Sequence, residues 1–312
     1  MTSHPQSNGP VIDPLNALVR AETDGVLAII TGIEGPSYRP MGAWMAFLPD
    51  SRRVGTLSSG CIESDLALHA ARALETGRPV PVRYGRGSPF LDISLPCGGG
   101  LDIVLLPRPD LRVLAELARE HVARRVAVLN VDLHKGALSL QTTGDTGMNA
   151  GRFLVRCLPE IDFQVFGKGP EAHTFAALAK SVGYGVQLLS PDAETLENAR
   201  NSGCRTVHLT GPEFPETLAV DARSAIVLFF HDHEWEPEIL RTALATSAFY
   251  IGAQGSQRAR DQRHLELTSM GVTAADLARL CGPIGLVPSA RDARTLAVSV
   301  LAEVLAAAAT AA

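Results

Sequence analysis

The 312-residue sequence has no C-x-x-C pair, no long basic run and no basic n-region followed by an apolar h-region at its start. Its cysteines, at 61, 97, 157, 204 and 281, are odd in number and scattered. That fits free thiols in a reducing compartment better than a disulfide frame. The absence of a basic run and a net charge of -5 argue against electrostatic nucleic-acid binding. No run of about 18 uncharged apolar residues occurs before the Ala-rich C-terminus, so no membrane span is expected. That last stretch, Leu296 to Ala312, carries Glu303 and fits a terminal amphipathic helix. A cytoplasmic protein is the expectation.

The chain is 46% hydrophobic and 20% charged, enough to bury ample core. Its length favours two domains, because single cores stop growing at about 250 to 300 residues. The expected division is a mixed α/β domain over residues 1–155 and a Rossmann-like, doubly wound parallel-sheet domain over 156–312.

The second domain is carried by Phe163-Gln-Val-Phe-Gly-Lys-Gly-Pro-Glu-Ala172. Apolar residues at 161, 163, 165 and 166 predict a strand, Gly167 and Gly169 a tight turn, and Glu171 to Ser181 a helix. Such a unit aims helix N-terminal amides at a phosphate, and Gly-x-Gly-x-x-Ala fits the dinucleotide fingerprint. The pattern then alternates: strand 185–189, helix 194–201, strand 206–209, strand 225–230 and strand 248–251. Alternation of this kind implies a parallel sheet with ligands beyond the carboxyl ends of its strands.

The residues at those ends are the candidates. Ser190-Pro191-Asp192 follows the second strand, where a dinucleotide enzyme often places an acid; Asp192 could serve from two residues later. His231 and His233 lie two apart after the strand 225–230, a weak metal signal. Gly252-Ala-Gln-Gly-Ser256 precedes Arg258, Arg260 and Arg263 on a helical pattern, which suits a phosphate or equally a solvated basic face. Ser289-Ala-Arg-Asp292 resembles a capping box at the start of the last helix.

In the first half, a helix over 13–23 and a buried strand over 26–31 lead into a Gly- and Pro-rich loop, 32–42, which composition alone marks as a surface turn. Strands are expected at 43–48, 80–84, 101–106, 125–131, 137–142 and 152–157, and helices at 64–75 and 110–122. The stretch 143–151 is polar and Gly-rich. Ser58-Ser-Gly-Cys-Ile-Glu63 places Cys61 at or just before a helix N-terminus, where a thiol becomes a better nucleophile or soft-metal ligand. A lone cysteine is more often a small buried hydrophobe. Cys97-Gly-Gly-Gly100 lets backbone approach something closely or exposes amides as an anion nest.

These blocks carry a resemblance. Gly35-Pro-Ser-Tyr-Arg-Pro-Met-Gly-Ala43, Gly55-Thr-Leu-Ser-Ser-Gly-Cys-Ile-Glu63, Cys97-Gly-Gly, Tyr250-Ile-Gly-Ala-Gln-Gly-Ser256, Pro283-Ile-Gly-Leu and Ala297-Val-Ser-Val-Leu-Ala-Glu303 resemble the XdhC/CoxI family, in the family's order along the chain. The resemblance implies a molybdenum cofactor chaperone for xanthine dehydrogenase-like or carbon monoxide dehydrogenase-like enzymes. Such a protein holds the cofactor, supports exchange of an oxo for a sulfido ligand by a cysteine desulfurase, and delivers it to the apo-enzyme without being a catalyst. A homodimer is expected. Expected cofactor contacts are Arg39, Gly60, Cys61, Glu63, Cys97, Gly98 and Gly99, with Gly167, Gly169, Gly252, Gly255 and Ser256 as a facing wall. Cys61 and Cys97 are the expected molybdenum or sulfur contacts. The competing reading is an NAD(P)-dependent oxidoreductase working through the second domain.

Overall fold

The computed structural model describes residues 12–22, 24–88, 98–230 and 234–310. The chain forms two compact units, Met1–Pro159 and Glu160–Ala312.

In the first unit, α1 (Asp13–Ala21) precedes β1 (Val26–Glu34), β2 (Trp44–Phe47), β3 (Arg53–Val54), α2 (Glu63–Thr76), β4 (Val80–Gly85) and β5 (Gly100–Pro107). There follow α3 (Leu111–Val122), β6 (Ala127–Val131), β7 (Leu138–Gln141), β8 (Gly147–Asn149) and β9 (Arg152–Cys157). One antiparallel sheet has the order β3-β2-β1-β5-β4, and a second has β7-β6-β9-β8. Central β1 is buried on both faces, which explains its unbroken Val-Leu-Ala-Ile-Ile run. Leu27 and Ile29 join a core with α1, α3 and the second sheet. Val26, Ala28 and Ile30 join another with Leu66, Ala70 and Ala73 of α2. Asp110 caps α3 by accepting from the Arg112 amide, and Gly77 ends α2 at φ 63°.

One expectation needs correction, and one element was not anticipated. Strand β1 runs on to Glu34, past the expected end at 31, because a shift between Ile30 and Gly32 keeps it paired with β5 as far as Gly100. The Gly-rich stretch 143–151 contains β8, which forms because its backbone pairs with β9, from Gly147↔Leu154 to Asn149↔Arg152. Main-chain pairing of this kind leaves no apolar pattern to read.

The second unit contains β10 (Asp162–Gly167), α4 (Pro170–Ser181), β11 (Gly185–Ser190), α5 (Ala193–Asn201), β12 (Arg205–His208) and β13 (Ser224–Phe229). It continues with α6 (Glu236–Leu244), β14 (Tyr250–Ala253), α7 (Gln257–Ser269), α8 (Ala274–Leu277), β15 (Leu280–Cys281) and α9 (Ala293–Thr310). All these strands are parallel, in the order β12-β11-β10-β13-β14-β15. The chain moves outward from β10 to β12 and then returns to the other side at β13. The order therefore reverses between β10 and β13, the place where such sheets open a crevice.

Phe163 and Val165 of β10 pack with α4, α5 and α9, while Phe166 packs with α6 and the 209–220 segment. Helix α9 is long and apolar enough to cross a membrane by length and composition alone. It instead buries Leu296, Ala297, Val300, Val304 and Ala308 in the core of this unit. Its start is capped by Asp292, which accepts from the amides of Arg294 and Thr295. The cap is thus Asp292, and Ser289 takes no part in it.

Candidate functional site

At one end of the first unit's five-stranded sheet, the β1–β2 loop (35–42), the β3–α2 loop (55–62) and the glycines before β5 come together. The β3–α2 loop is shaped by Glu63, which is only 6% exposed. Its Oε1 accepts from Thr56 Oγ1 (2.6 Å), Leu57 N (3.0 Å) and Ser58 N (2.9 Å). Its Oε2 accepts from Ser58 Oγ (2.7 Å) and Ile62 N (3.2 Å). Burial by itself raises the Glu63 pKa, but the hydrogen bonds from Thr56 and Ser58 outweigh it and bring the carboxyl down to about 2. The loop is wound around an ionised carboxylate, and its tip points to solvent. There Ser59 (φ 60°) and Gly60 (φ 106°) turn the chain, and Cys61 is exposed.

The β1–β2 loop leans on this tip. Arg39 Nε donates to Thr56 O (3.4 Å), and Ser37 Oγ both donates to Arg39 O (2.8 Å) and accepts from Arg39 N (3.3 Å). The glycine run fits beneath the same loop: a Cβ on Gly99 would stand 2.3 Å from Pro36 O and 2.9 Å from Glu34 O. Only glycine permits that approach. Arg83 ties the strand ends that carry the loops, meeting Glu34 (2.6 Å), Asp102 (2.8 Å) and Arg86 O (2.8 Å).

Of the residues expected from sequence, Arg39, Gly60, Cys61, Glu63, Gly98 and Gly99 thus lie in mutually supporting loops. Glu63 differs from expectation in kind: its oxygens face its own loop, so it shapes the site from beneath. Cys97 lies outside the described residues. Among the described residues, no group of three or more His, Cys, Asp and Glu is arranged to hold a metal ion. Cys157 is a buried core thiol, pushed up to about 12 by burial, and burial likewise raises Cys204.

In the second unit, a Cβ on Gly167 would stand 2.7 Å from Phe229 O, so this glycine lets β10 pass close to β13. Gly169 N donates to Thr195 Oγ1 (2.8 Å). Asp192, offered from sequence for a ribose, is the cap of α5 and accepts from Thr195 N (2.7 Å). Gly252 is needed because a Cβ there would meet Ile284 and Tyr250 at 2.7 Å. Gly255 is exposed at φ 148°, and Ser256 caps α7 by accepting from Ala259 N (3.2 Å).

Arg263 is neither a phosphate ligand nor part of a solvated face. It is 3% exposed and pairs with Glu236 (2% exposed) through Nε (3.1 Å) and Nη2 (2.9 Å), while Nη2 also donates to Gln254 O (2.8 Å). The expected histidines 231 and 233 lie outside the described residues.

Two of the family-like blocks, Pro283–Leu286 and Ala297–Glu303, meet in the fold. Glu303 accepts from Tyr250 Oη (2.7 Å) and from the Gly285 amide, and Ser299 Oγ accepts from Val287 N (2.6 Å). Helix α9 therefore holds the loop after β15. Burial, with the Glu303 charge, raises the neighbouring Cys281 thiol. A polar position every four residues on an Ala-rich helix was the available signal.

A family model described as the XdhC and CoxI family matches residues 18–85, and one described as the XdhC Rossmann domain matches residues 163–304. The molybdenum cofactor insertion chaperone PaoD of Escherichia coli (strain K12) is 33% identical over 282 residues, spanning 89% of this chain and 82% of its own. A probable xanthine dehydrogenase component of Bacillus subtilis (strain 168) is 24% identical, spanning 93% of this chain and 95% of its own. The crystal structure of a xanthine dehydrogenase from Bacillus halodurans shares the fold, with a TM-score of 0.77, 21% identity and 96% of each chain covered. With both halves matched and PaoD alike over most of its length, the chain belongs to the XdhC and CoxI family.

Proposed function

We propose that this chain is a molybdenum cofactor chaperone. It holds the cofactor as cargo, supports its sulfuration by a cysteine desulfurase, and passes it to the apo-form of a xanthine dehydrogenase-like or carbon monoxide dehydrogenase-like hydroxylase. The observation that carries the reading is the exposed Cys61 thiol on a loop fixed from beneath by Glu63, in a chain 33% identical to a molybdenum cofactor insertion chaperone. A thiolate suits a soft metal centre or a transferred sulfur. Arg39 and the backbone of Gly60, Gly98 and Gly99 offer donors to the cargo's phosphate and heterocycle. In the second unit the exposed Gly255, beside the N-terminus of α7, is a further candidate contact. Cys97, adjoining Gly98 in sequence, is the second candidate thiol.

The chain works in this reading as a cytoplasmic homodimer with no turnover of its own. The test is to purify the full chain from cells making the cofactor and measure bound molybdenum and released pterin. Cys61→Ala and Cys97→Ala are each expected to lower molybdenum retention and activation of an apo-hydroxylase by at least about tenfold, a loss of about 1.4 kcal/mol. Wild-type retention in both variants would remove the thiols from the mechanism.

A further inference from the structure

We infer that the glycine turn of the second unit is closed to dinucleotides by Thr195, whose hydroxyl occupies the Gly169 amide that a phosphate would need. A dinucleotide site on this fold asks for free amides at the first helix, a favourable potential there, and an acid after the second strand that is free to meet a ribose. Each of the three is compromised for a visible reason.

The amides come first. Gly169 N donates to Thr195 Oγ1 at 2.8 Å, and the next residue, Pro170, has no N–H to offer. Thr195 is 1% exposed. Its hydroxyl proton goes to Asp192 Oδ2 (2.5 Å), and its own amide donates to the same oxygen (2.7 Å). That fixes the hydroxyl lone pair toward Gly169, so the contact is oriented at both ends.

The potential is next. Asp192 lies one hydroxyl away from the turn, and hydrogen bonds from Thr195 hold its carboxyl below the usual range, with the Lys168 charge adding to the effect. A second carboxylate, Glu171, is in the first turn of α4, its Oε2 3.8 Å from where a Cβ on Gly169 would stand. A pyrophosphate entering here would meet two carboxylates against the single Lys168 charge, close to the helix end that normally attracts it.

The ribose acid is last. The final residue of β11 is Ser190, fully buried, with its Oγ accepting from Asp192 N (3.1 Å). Asp192 itself is engaged in capping α5. The Gly169 amide, Thr195, Asp192 and Ser190 are therefore bonded to one another, and they join β10–α4 to β11–α5. The inference bears on cofactor carriage at one point only: a turn that rejects phosphate leaves Gly169 out of the expected cofactor wall and does not touch the Cys61 loops.

The experiment titrates the full chain with NAD+, NADP+ and ADP-ribose by calorimetry, and follows hydrogen exchange and the chemical shift of the Gly169 amide. Wild type and Thr195→Ser, which keeps the hydroxyl, should show no binding at the turn and a protected Gly169 amide. Thr195→Val keeps the volume without the acceptor and should expose that amide. Thr195→Ala, which also opens space, should gain at least about tenfold in ADP-ribose affinity. Binding of NAD+ or NADP+ by wild type with a Kd below about 1 mM, together with a shifted Gly169 amide, would overturn the inference. So would a Thr195→Ala chain whose Gly169 amide exchanges faster yet takes up no more ADP-ribose, or one whose Gly169 amide is unchanged.

Discussion

Glu63 shows how one side chain sets the chemistry of its neighbours without touching anything outside the protein. A carboxylate this buried persists only because Thr56, Ser58 and the Leu57, Ser58 and Ile62 amides satisfy it. Its folded pKa of about 2 lies below the ordinary 4.5, so its contribution is complete above 4.5 and is lost as pH falls toward 2. Glu63→Gln should lower the unfolding free energy by about 2 kcal/mol at neutral pH. Urea titrations of the two proteins should converge as pH drops through that window, and a gap that stays constant to pH 2 would contradict the assignment. From sequence, Glu63 stood out as a contact residue in a family-like block, but its direction was invisible. A carboxylate at a helix start faces cargo or its own loop depending on where the backbone carries it.

At the scale of elements, the pairing of α6 with α7 was the least legible part of the fold. Arg258, Arg260 and Arg263 read as one basic face, yet Arg263 turns inward because Glu236, from a helix the pattern did not mark, meets it in the core. The pair also holds Gln254 O, and so the loop between β14 and α7. Glu236→Ala leaves a guanidinium buried without its counter-ion and should cost about 3 to 5 kcal/mol. Replacing both partners with apolar residues of similar volume should recover much of that loss. Thermal melts of the single and double variants decide the matter: equal losses would mean the charge pairing is irrelevant. The β10–α4 unit was legible at the level of strand, turn and helix, because apolar periodicity and glycine spacing are local. What the turn's amide bonds to was not, since Thr195 is distant in sequence from Gly169.

The whole molecule is two units with separate cores. Leu129 belongs to the core of α1, α3 and the second antiparallel sheet, whereas Phe163 and Val227 belong to that of the parallel sheet. Leu129→Ala should cost about 2 to 5 kcal/mol in the first unit. Hydrogen exchange should therefore quicken in β6 and β9 and stay at wild-type rates in β10 and β13. Uniform quickening along the chain would show a single cooperative fold. The division after Pro159 follows from β9, which still pairs with β6 up to Cys157.

Local chemistry determined the α/β alternation of the second half, the helix start at Asp110, the glycine turns and the family-like blocks, because each depends on residues near one another in the chain. Tertiary structure decided which of those residues face outward. It left Cys61 exposed and turned Glu63 inward, buried Arg263 against Glu236, and set Thr195 on the Gly169 amide. The physical reason is that hydrogen bonds and ion pairs between distant segments exist only after the chain has packed, and no periodicity records them in advance.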